Sequence, residues 1–144
     1  IVGDVPYGDE YAKRLRATSD PRLVWCGYVR DRVVLDTLYA HSYAYFHGHG
    51  YGGTNPTLLE AMAAECAILA IDTVFSREVL GDEACGWFFA RTDVGVAGLI
   101  EMAEARPADL KEAGERARAR VVTNYNWPAI VDSYEQLFRQ LMVK

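Results

Sequence analysis

The chain has 144 residues, enough for one domain with a sizeable core, and 51% of them are hydrophobic while 24% are charged. The formal net charge of −5 argues against a general nucleic-acid-binding protein, because such proteins more often present a basic face. No apolar run approaches the roughly 20 residues that a membrane-spanning helix needs. We therefore expect a globular domain that binds no nucleic acid.

Strand and helix patterns alternate along the first half of the chain. Short apolar runs predict strands at residues 1–4, 22–29, 43–48 and 67–72, with helical patterns between them at 10–18, 31–41 and 56–65. Near-continuous apolar strands are typical of parallel sheets that are covered on both faces. The alternation indicates an α/β fold with a doubly wound parallel sheet. Because the chain opens inside an apolar fragment, we expect it to be part of a longer protein.

The second half of the chain becomes mainly helical. The segment SREVL predicts a short helix at 76–80, and GWFFA predicts a last strand at 86–90. Helical patterns follow at 94–104, 108–123 and 127–143; Pro107 precedes the second of them, and Pro128 lies in the first turn of the third. Asn126 is the expected cap of the last helix, which carries an apolar stripe at helical spacing.

The three cysteines are Cys26, Cys66 and Cys85. Their number is odd, and their spacing fits no zinc-binding pattern. Each has apolar neighbours in the sequence. We expect three buried free thiols in a reducing compartment.

A glycine-rich loop follows the strand at 43–48, with four glycines between residues 48 and 53. Ligands of open parallel sheets bind at the carboxyl ends of the strands, where this loop is predicted to lie. Glycine allows the backbone to approach a ligand closely, and the helix that follows offers unpaired N–H groups and a positive dipole end. Thr54 or Asn55 would cap that helix. Together these features predict a phosphate or pyrophosphate site.

Other interpretations of this region fit less well. Gly48, Gly50 and Gly53 form a G-x-G-x-x-G pattern with Asp72 downstream, but residues 54–56 separate it from the helix that a dinucleotide fingerprint would open directly. No lysine follows the glycines, as a P-loop requires. His47 and His49 could share a metal ion, but no third ligand is evident, so we expect no metal site. Arg77 and Glu78 either pair with each other or frame the site.

Glu60 stands out in the helix at 56–65. Leu59, Met62, Ala63 and Cys66 would share the apolar face of this helix, and Glu60 lies off that face beside small residues. It is too far along the helix to act as a capping-box partner of Asn55. It is either a solvated acid near a helix N-terminus or a carboxylate that accepts hydrogen bonds from a vicinal diol such as ribose.

The residues from the glycine-rich loop to the next predicted strand resemble a known protein family. The segment GGTNPTLLEAMAAECAILAID resembles the donor-site segment of retaining glycosyltransferases of the GT-B fold, in the broad family 4 group. The version HGHxxGGTNPTLLEAM, with REVLGD downstream and YNW…YEQLF near the end, most resembles bacterial rhamnosyltransferases that build cell-surface polysaccharides. The resemblance implies a Rossmann-like doubly wound sheet with a helical C-terminus. It also implies that residues 1–144 are a single nucleotide-sugar-binding domain, the C-terminal half of a GT-B enzyme, whose first strand and N-terminal acceptor domain lie outside this sequence.

The resemblance also assigns roles to residues. Glu60 matches the second Glu of the family's E-x7-E motif, which holds the nucleotide ribose, whereas the position of the first Glu is Gly52 here. The residues that match the loop contacting the diphosphate and the sugar are Gly52, Gly53, Thr54 and Asn55. Tyr28 and Val29 match the region near the base. His49 is a further candidate for a hydrogen bond to the diphosphate or sugar. The family's Arg and Lys for the diphosphate belong to an earlier strand and helix, which we expect this chain to lack.

The function that the resemblance implies is transfer of a sugar, with rhamnose as a candidate, from a nucleoside-diphosphate sugar to a saccharide or lipid-linked saccharide. The nucleotide sugar is then a substrate, and no cofactor is expected. The resemblance also implies a cytoplasmic location at the inner face of the membrane and peripheral membrane association of the full-length protein. We expect the chain alone to be inactive and prone to self-association. The alternatives are a nucleotide-sugar epimerase of the same fold and a non-catalytic nucleotide-binding module.

Overall fold

The computed structural model describes residues 1–4 and 9–142. The chain divides into two compact units, residues 1–37 and 38–144, and each is described by itself. The elements in chain order are α1 (Glu10–Arg16), α2 (Arg32–His41), β1 (Tyr45–His47), α3 (Pro56–Ala63), β2 (Ile68–Ile71), α4 (Val74–Leu80), β3 (Trp87–Phe89), α5 (Asp93–Ala105), α6 (Pro107–Asn124) and α7 (Trp127–Met142). A short 3-10 helix, Asp82–Ala84, follows α4.

The first unit contains less regular structure than the sequence predicts. Among the residues described, the segments predicted as strands at 1–4 and 22–29 form no regular strand and are joined by one parallel bridge, between Val2 and Gly27. The Cys26 N–H donates to the Ile1 carbonyl at 2.9 Å and the Gly3 N–H to the Gly27 carbonyl at 2.8 Å, while Gly27 has a φ of +63°, which departs from the extended conformation of a strand. Helix α1 forms as predicted, and the Asp9 side chain accepts a hydrogen bond from the Tyr11 backbone N–H at 2.7 Å.

A three-stranded parallel sheet forms the centre of the second unit, in the order β1-β2-β3. The register pairs His47 with Ala70 and Ile71 with Phe89, so all three strands end at the same edge. Each strand is followed by a helix. This arrangement confirms the predicted α/β fold, and it places the loops after β1, β2 and β3 side by side.

The core lies around β2, in which all four residues are buried. Leu69 and Ile71 belong to a cluster with Phe89 of β3 and Leu99 of α5. Ile68 and Ala70 alternate with them on the opposite face and are completely buried. Helices therefore cover both faces of this strand, as its continuous apolar sequence predicts.

The predicted buried face of α3 is wrong. The buried residues of α3 are Leu58, Ala61 and Met62, whereas Ala63 is exposed, so the apolar face is rotated about one position from the predicted one. Leu58 lies with His47 of β1 and Val79 of α4 around one small cavity, so this side of the helix faces the interior of the unit.

Cys26 is exposed, in contrast to the prediction, because the segment around it forms no strand in a covered sheet. Cys66 and Cys85 are buried as predicted, and burial raises the pKa of both thiols, which favours their protonated form. Among the described residues, no helix is long and apolar enough to cross a membrane.

Helix α7 closes the chain with an apolar side that remains exposed. It begins at Trp127 and is described to Met142, so the predicted last residue, 143, lies outside the described range. The Asn126 side chain accepts a hydrogen bond from the Ala129 N–H at 2.9 Å, which confirms the predicted cap. No residue of the helix is buried, and Leu137, Phe138 and Leu141 are 48%, 57% and 60% exposed.

We expect this exposed stripe to cause self-association. Covering one such side chain is worth about 1.5–3 kcal/mol, and contiguous apolar patches usually find partners. Sedimentation should give an average mass that rises with concentration, and Leu141→Glu, which places a charge in the stripe, should remove that dependence. A chain that is monomeric at all concentrations, with α7 amides strongly protected from hydrogen exchange, would contradict this expectation.

Candidate functional site

The glycine-rich loop joins β1 to α3 at the carboxyl edge of the sheet, where the sequence predicted it. It brings five of the predicted site residues together: His49, Gly52, Gly53, Thr54 and Asn55. Gly52 has a φ of +99°, a conformation that side-chain-bearing residues rarely adopt. Gly52, Gly53 and Thr54 are exposed, so their backbone is open to a ligand.

The first turn of α3 differs from the predicted anion site. Pro56, the first helical residue, has no N–H. The Asn55 side-chain oxygen accepts hydrogen bonds from the Thr57 N–H (3.0 Å) and hydroxyl (2.7 Å), and the Asn55 carbonyl accepts from the Leu58 N–H at 3.1 Å. The expectation of unpaired helix N–H groups is therefore wrong, because the cap and the proline satisfy the first turn. The helix still offers its dipole, and Asn55 offers its amide Nδ2.

His47 and His49 lie on the same side of the chain, as their spacing predicts. Their ring centroids are 6.2 Å apart with an interplanar angle of 29°. His47 is buried at the end of β1, and burial, followed by repulsion from His49, lowers its pKa. The His47 imidazole is therefore neutral at pH 7 and can both donate and accept a hydrogen bond.

The two histidines line a small cavity behind the loop. Residues of the loop and of α4, including Gly53, Phe75 and Ser76, complete its wall. Its volume is about 10 Å³, which suits one water molecule, whereas nucleotide sites commonly occupy hundreds of Å³. In this conformation the cavity is too small to hold a nucleotide.

Glu60 lies one turn into α3 and is half-buried. At 100° per residue, it projects away from the face that carries Leu58, Ala61 and Met62 into the core. Near the start of the same helix, the hydroxyls of Tyr45 and Thr57 are 3.1 Å apart, which ties β1 to the first turn of α3. The carboxylate of Glu60 thus stands on a helix that the sheet holds in place.

The end of β2 carries an ion pair that the sequence did not identify. Arg77 donates two hydrogen bonds to Asp72, from Nε to Oδ1 at 2.6 Å and from Nη2 to Oδ2 at 2.8 Å, and its guanidinium lies over the Phe88 ring. The first-named alternative, a pair between Arg77 and Glu78, is therefore wrong. The hydrogen bonds from Arg77 hold the pKa of Asp72 below its usual value, so this carboxylate stays ionised and bound to Arg77.

Tyr28 and Val29 belong to the first unit. They line an open depression of about 470 Å³ together with Arg30, Arg32 and Leu35. The Tyr28 side chain is 72% exposed, and the Arg30 guanidinium lies 5.8 Å from its ring centroid. An exposed aromatic ring next to a cation can stack against a planar base.

Arg91 is a residue at this edge that the sequence analysis missed. It follows β3 after Ala90, and a Cβ built on Gly50 would lie 2.5 Å from its Nη2 atom. The guanidinium therefore packs against the backbone of the glycine-rich loop. A basic residue directly after the last strand was the signal that could have identified it. Among the described residues, no group of three or more metal-ligating side chains forms.

Comparisons with known proteins agree with this architecture. The family model described as "Glycosyl transferases group 1" matches residues 1–106. Sucrose-phosphate synthase (tll1590) from Thermosynechococcus elongatus aligns with a TM-score of 0.72 and 26% identity, over 85% of this chain and 31% of that one. Anabaena Alr3699/HepE, solved in complex with UDP, aligns with a TM-score of 0.76 and 18% identity, over 99% of this chain and 40% of that one. The chain thus spans less than half the length of these proteins. A comparison with curated proteins finds no significant match.

Proposed function

Because the chain belongs to the glycosyl transferases group 1 family, we propose that it binds the nucleotide-sugar donor of a sugar-transfer reaction. One observation carries the proposal: the exposed glycine-rich loop enters α3 at the carboxyl edge of a parallel sheet, with the Glu60 carboxylate one turn further on. The loop amides suit a diphosphate, and the carboxylate suits a ribose diol.

The chemistry consists of one exchange at the anomeric carbon of the sugar. Its bond to the diphosphate oxygen breaks, a bond to the acceptor oxygen forms, and the acceptor hydroxyl loses its proton. Negative charge then develops on the leaving diphosphate. The loop amides of Gly52, Gly53 and Thr54 and the dipole of α3 would stabilise this charge, which is the protein's main contribution to such a reaction.

The finer features of the reaction rest on the resemblance of the HGHxxGGTNPTLLEAM segment. It supports a retaining mechanism, rhamnose as the transferred sugar and a saccharide or lipid-linked acceptor in the synthesis of cell-surface polysaccharide. It also supports a cytoplasmic protein that works at the inner face of the membrane, with the acceptor held by a separate domain. Gly52 occupies the position at which the first Glu of the family's motif would contact the sugar. This supports a different donor, or a donor sugar that is bound through other residues.

Calorimetric titration with UDP, GDP, dTDP, ADP and their sugars tests the proposal. UDP is the first to try, because a protein of the same fold was solved with it. We expect one base to be preferred and the diphosphate to bind better than the nucleoside. If none of these nucleotides or nucleotide sugars binds, the proposal is overturned.

We expect the chain alone to bind its donor weakly and to transfer nothing. The resemblance assigns acceptor binding and the basic diphosphate residues to segments outside residues 1–144. Mass spectrometry of a mixture of the chain, the preferred nucleotide sugar and candidate saccharides should show no elongated product. Measurable transfer would contradict this expectation.

A further inference from the structure

The loop needs a cation that its own sequence does not provide. A nucleoside diphosphate brings two or more negative charges, and residues 47–60 contain no lysine or arginine. The first turn of α3 has its N–H groups satisfied by Asn55, and the His47 imidazole is neutral. Within this chain, any positive charge at the loop has to come from another element.

Arg91 lies in the place from which such a charge can act. It follows β3, whose carboxyl end shares the edge of the sheet with the glycine-rich loop. A Cβ on Gly50 would lie 2.5 Å from Arg91 Nη2 and 3.4 Å from Cζ, so the guanidinium occupies the space that a side chain at residue 50 would fill. Gly50 therefore lets the cation reach the loop backbone.

The charge of Arg91 is also available. The described segment 38–142 contains seven arginines, and six of them donate to a carboxylate or a backbone carbonyl. The pairs are Arg77 with Asp72, Arg106 with Asp109, Arg116 with Glu112, Arg118 with Glu65, Arg139 with Glu135 and Arg120 with the Val79 carbonyl. Within that segment, Arg91 alone has no such partner. A guanidinium presents a planar fork of donors that matches phosphate oxygens.

We propose that Arg91, packed against Gly50, binds the diphosphate of the nucleotide sugar. The inference rests on the proposed function and adds a residue that neither the glycine-rich motif nor the family resemblance indicates. Arg91 supplies charge-assisted hydrogen bonds that the α3 N-terminus does not. It therefore selects for ligands that carry phosphate groups.

The test compares the full chain with two variants of Arg91, by calorimetry at one fixed salt concentration. The probes are the best-binding of UDP, GDP, dTDP and ADP, its nucleoside, and inorganic pyrophosphate. Arg91→Gln should weaken diphosphate binding about tenfold or more and leave nucleoside binding unchanged. The diphosphate affinity of Arg91→Lys should lie between those of the wild-type chain and Arg91→Gln, since lysine keeps the charge and loses the planar fork of donors. Arg139→Gln makes the same charge change on exposed α7 and should have no effect.

Gly50→Ala provides a second variant that tests the geometry. The atom that its Cβ would meet is the far end of a flexible side chain, so the guanidinium should move while the fold remains. Diphosphate binding should weaken severalfold in the wild-type background and hardly at all in the Arg91→Gln background. Thermal melts would establish that all variants are folded.

The outcomes separate this inference from the proposed function. Diphosphate binding that Arg91→Gln leaves unchanged overturns the inference and leaves the proposed function standing. Pyrophosphate binding that depends on Arg91, without binding of any nucleotide, would show that Arg91 binds phosphate groups, but it overturns the proposed function and with it the role of Arg91 in holding a nucleotide sugar. Absence of binding of both nucleotide and pyrophosphate overturns both.

Discussion

Replacing Glu60 with glutamine is expected to weaken binding of the preferred nucleotide by about 1–3 kcal/mol, roughly a 5- to 150-fold change in Kd. The half-buried carboxylate projects from α3 beside the loop, where it can accept two hydrogen bonds from a ribose diol. Glutamine has nearly the same shape, but it offers one acceptor and a neutral donor in place of the charged pair of oxygens. Calorimetry of both proteins with the same nucleotide measures the effect.

A matched control separates a ligand contact from a general charge effect. Glu101→Gln removes one carboxylate from the exposed side of α5 and should change affinity by less than about 0.5 kcal/mol. The melting temperature of each variant establishes that it is folded. If Glu60→Gln and Glu101→Gln behave alike, Glu60 is a solvated helix acid and its assigned role is wrong.

Replacing Gly114 with alanine should lower the free energy of unfolding by about 2 kcal/mol or more. Gly114 is buried in α6, where a Cβ would overlap the carbonyl oxygen of Glu65 and lie 3.3 Å from the Ala67 nitrogen. These are backbone atoms and cannot move aside by changing a rotamer. Helix α6 would have to shift away from the end of α3, a cost that exceeds the roughly 1 kcal/mol by which alanine favours a helix over glycine.

Gly98→Ala is the matched control for this substitution. Gly98 lies in the interior of α5, it is exposed, and nothing lies within 4 Å of a Cβ built there. The same change should therefore raise the free energy of unfolding by about 0.5–1 kcal/mol. Denaturant unfolding of the two variants should give effects of opposite sign. An increase in stability for Gly114→Ala would show that α6 and α3 are not in close contact.

The elements that the sequence predicted correctly are those whose signals are local. The apolar run at 67–72 predicted β2, and proline after an Asx residue predicted the start of α3, because capping and proline geometry act within a few residues. The glycine-rich loop was likewise placed at the sheet edge from sequence alone, and Glu60 one turn into the helix that follows it. The segment predicted as a strand at 22–29 forms only a bridge among the described residues, because an apolar run forms a strand only where a partner pairs along its length, and Gly27, with a φ of +63°, departs from the extended conformation.

The sequence by itself therefore determined the α/β order, the family resemblance and the position of the loop at the carboxyl edge. Only the tertiary structure decided which groups meet there. It paired Arg77 with Asp72, satisfied the first turn of α3 through Asn55, and brought Arg91 against Gly50, which is 41 positions earlier in the chain. The physical reason is that capping and periodicity depend on near neighbours, whereas contacts between strand ends depend on the order of strands in the sheet. That order is fixed by the packing of the whole unit, and local sequence patterns do not contain it.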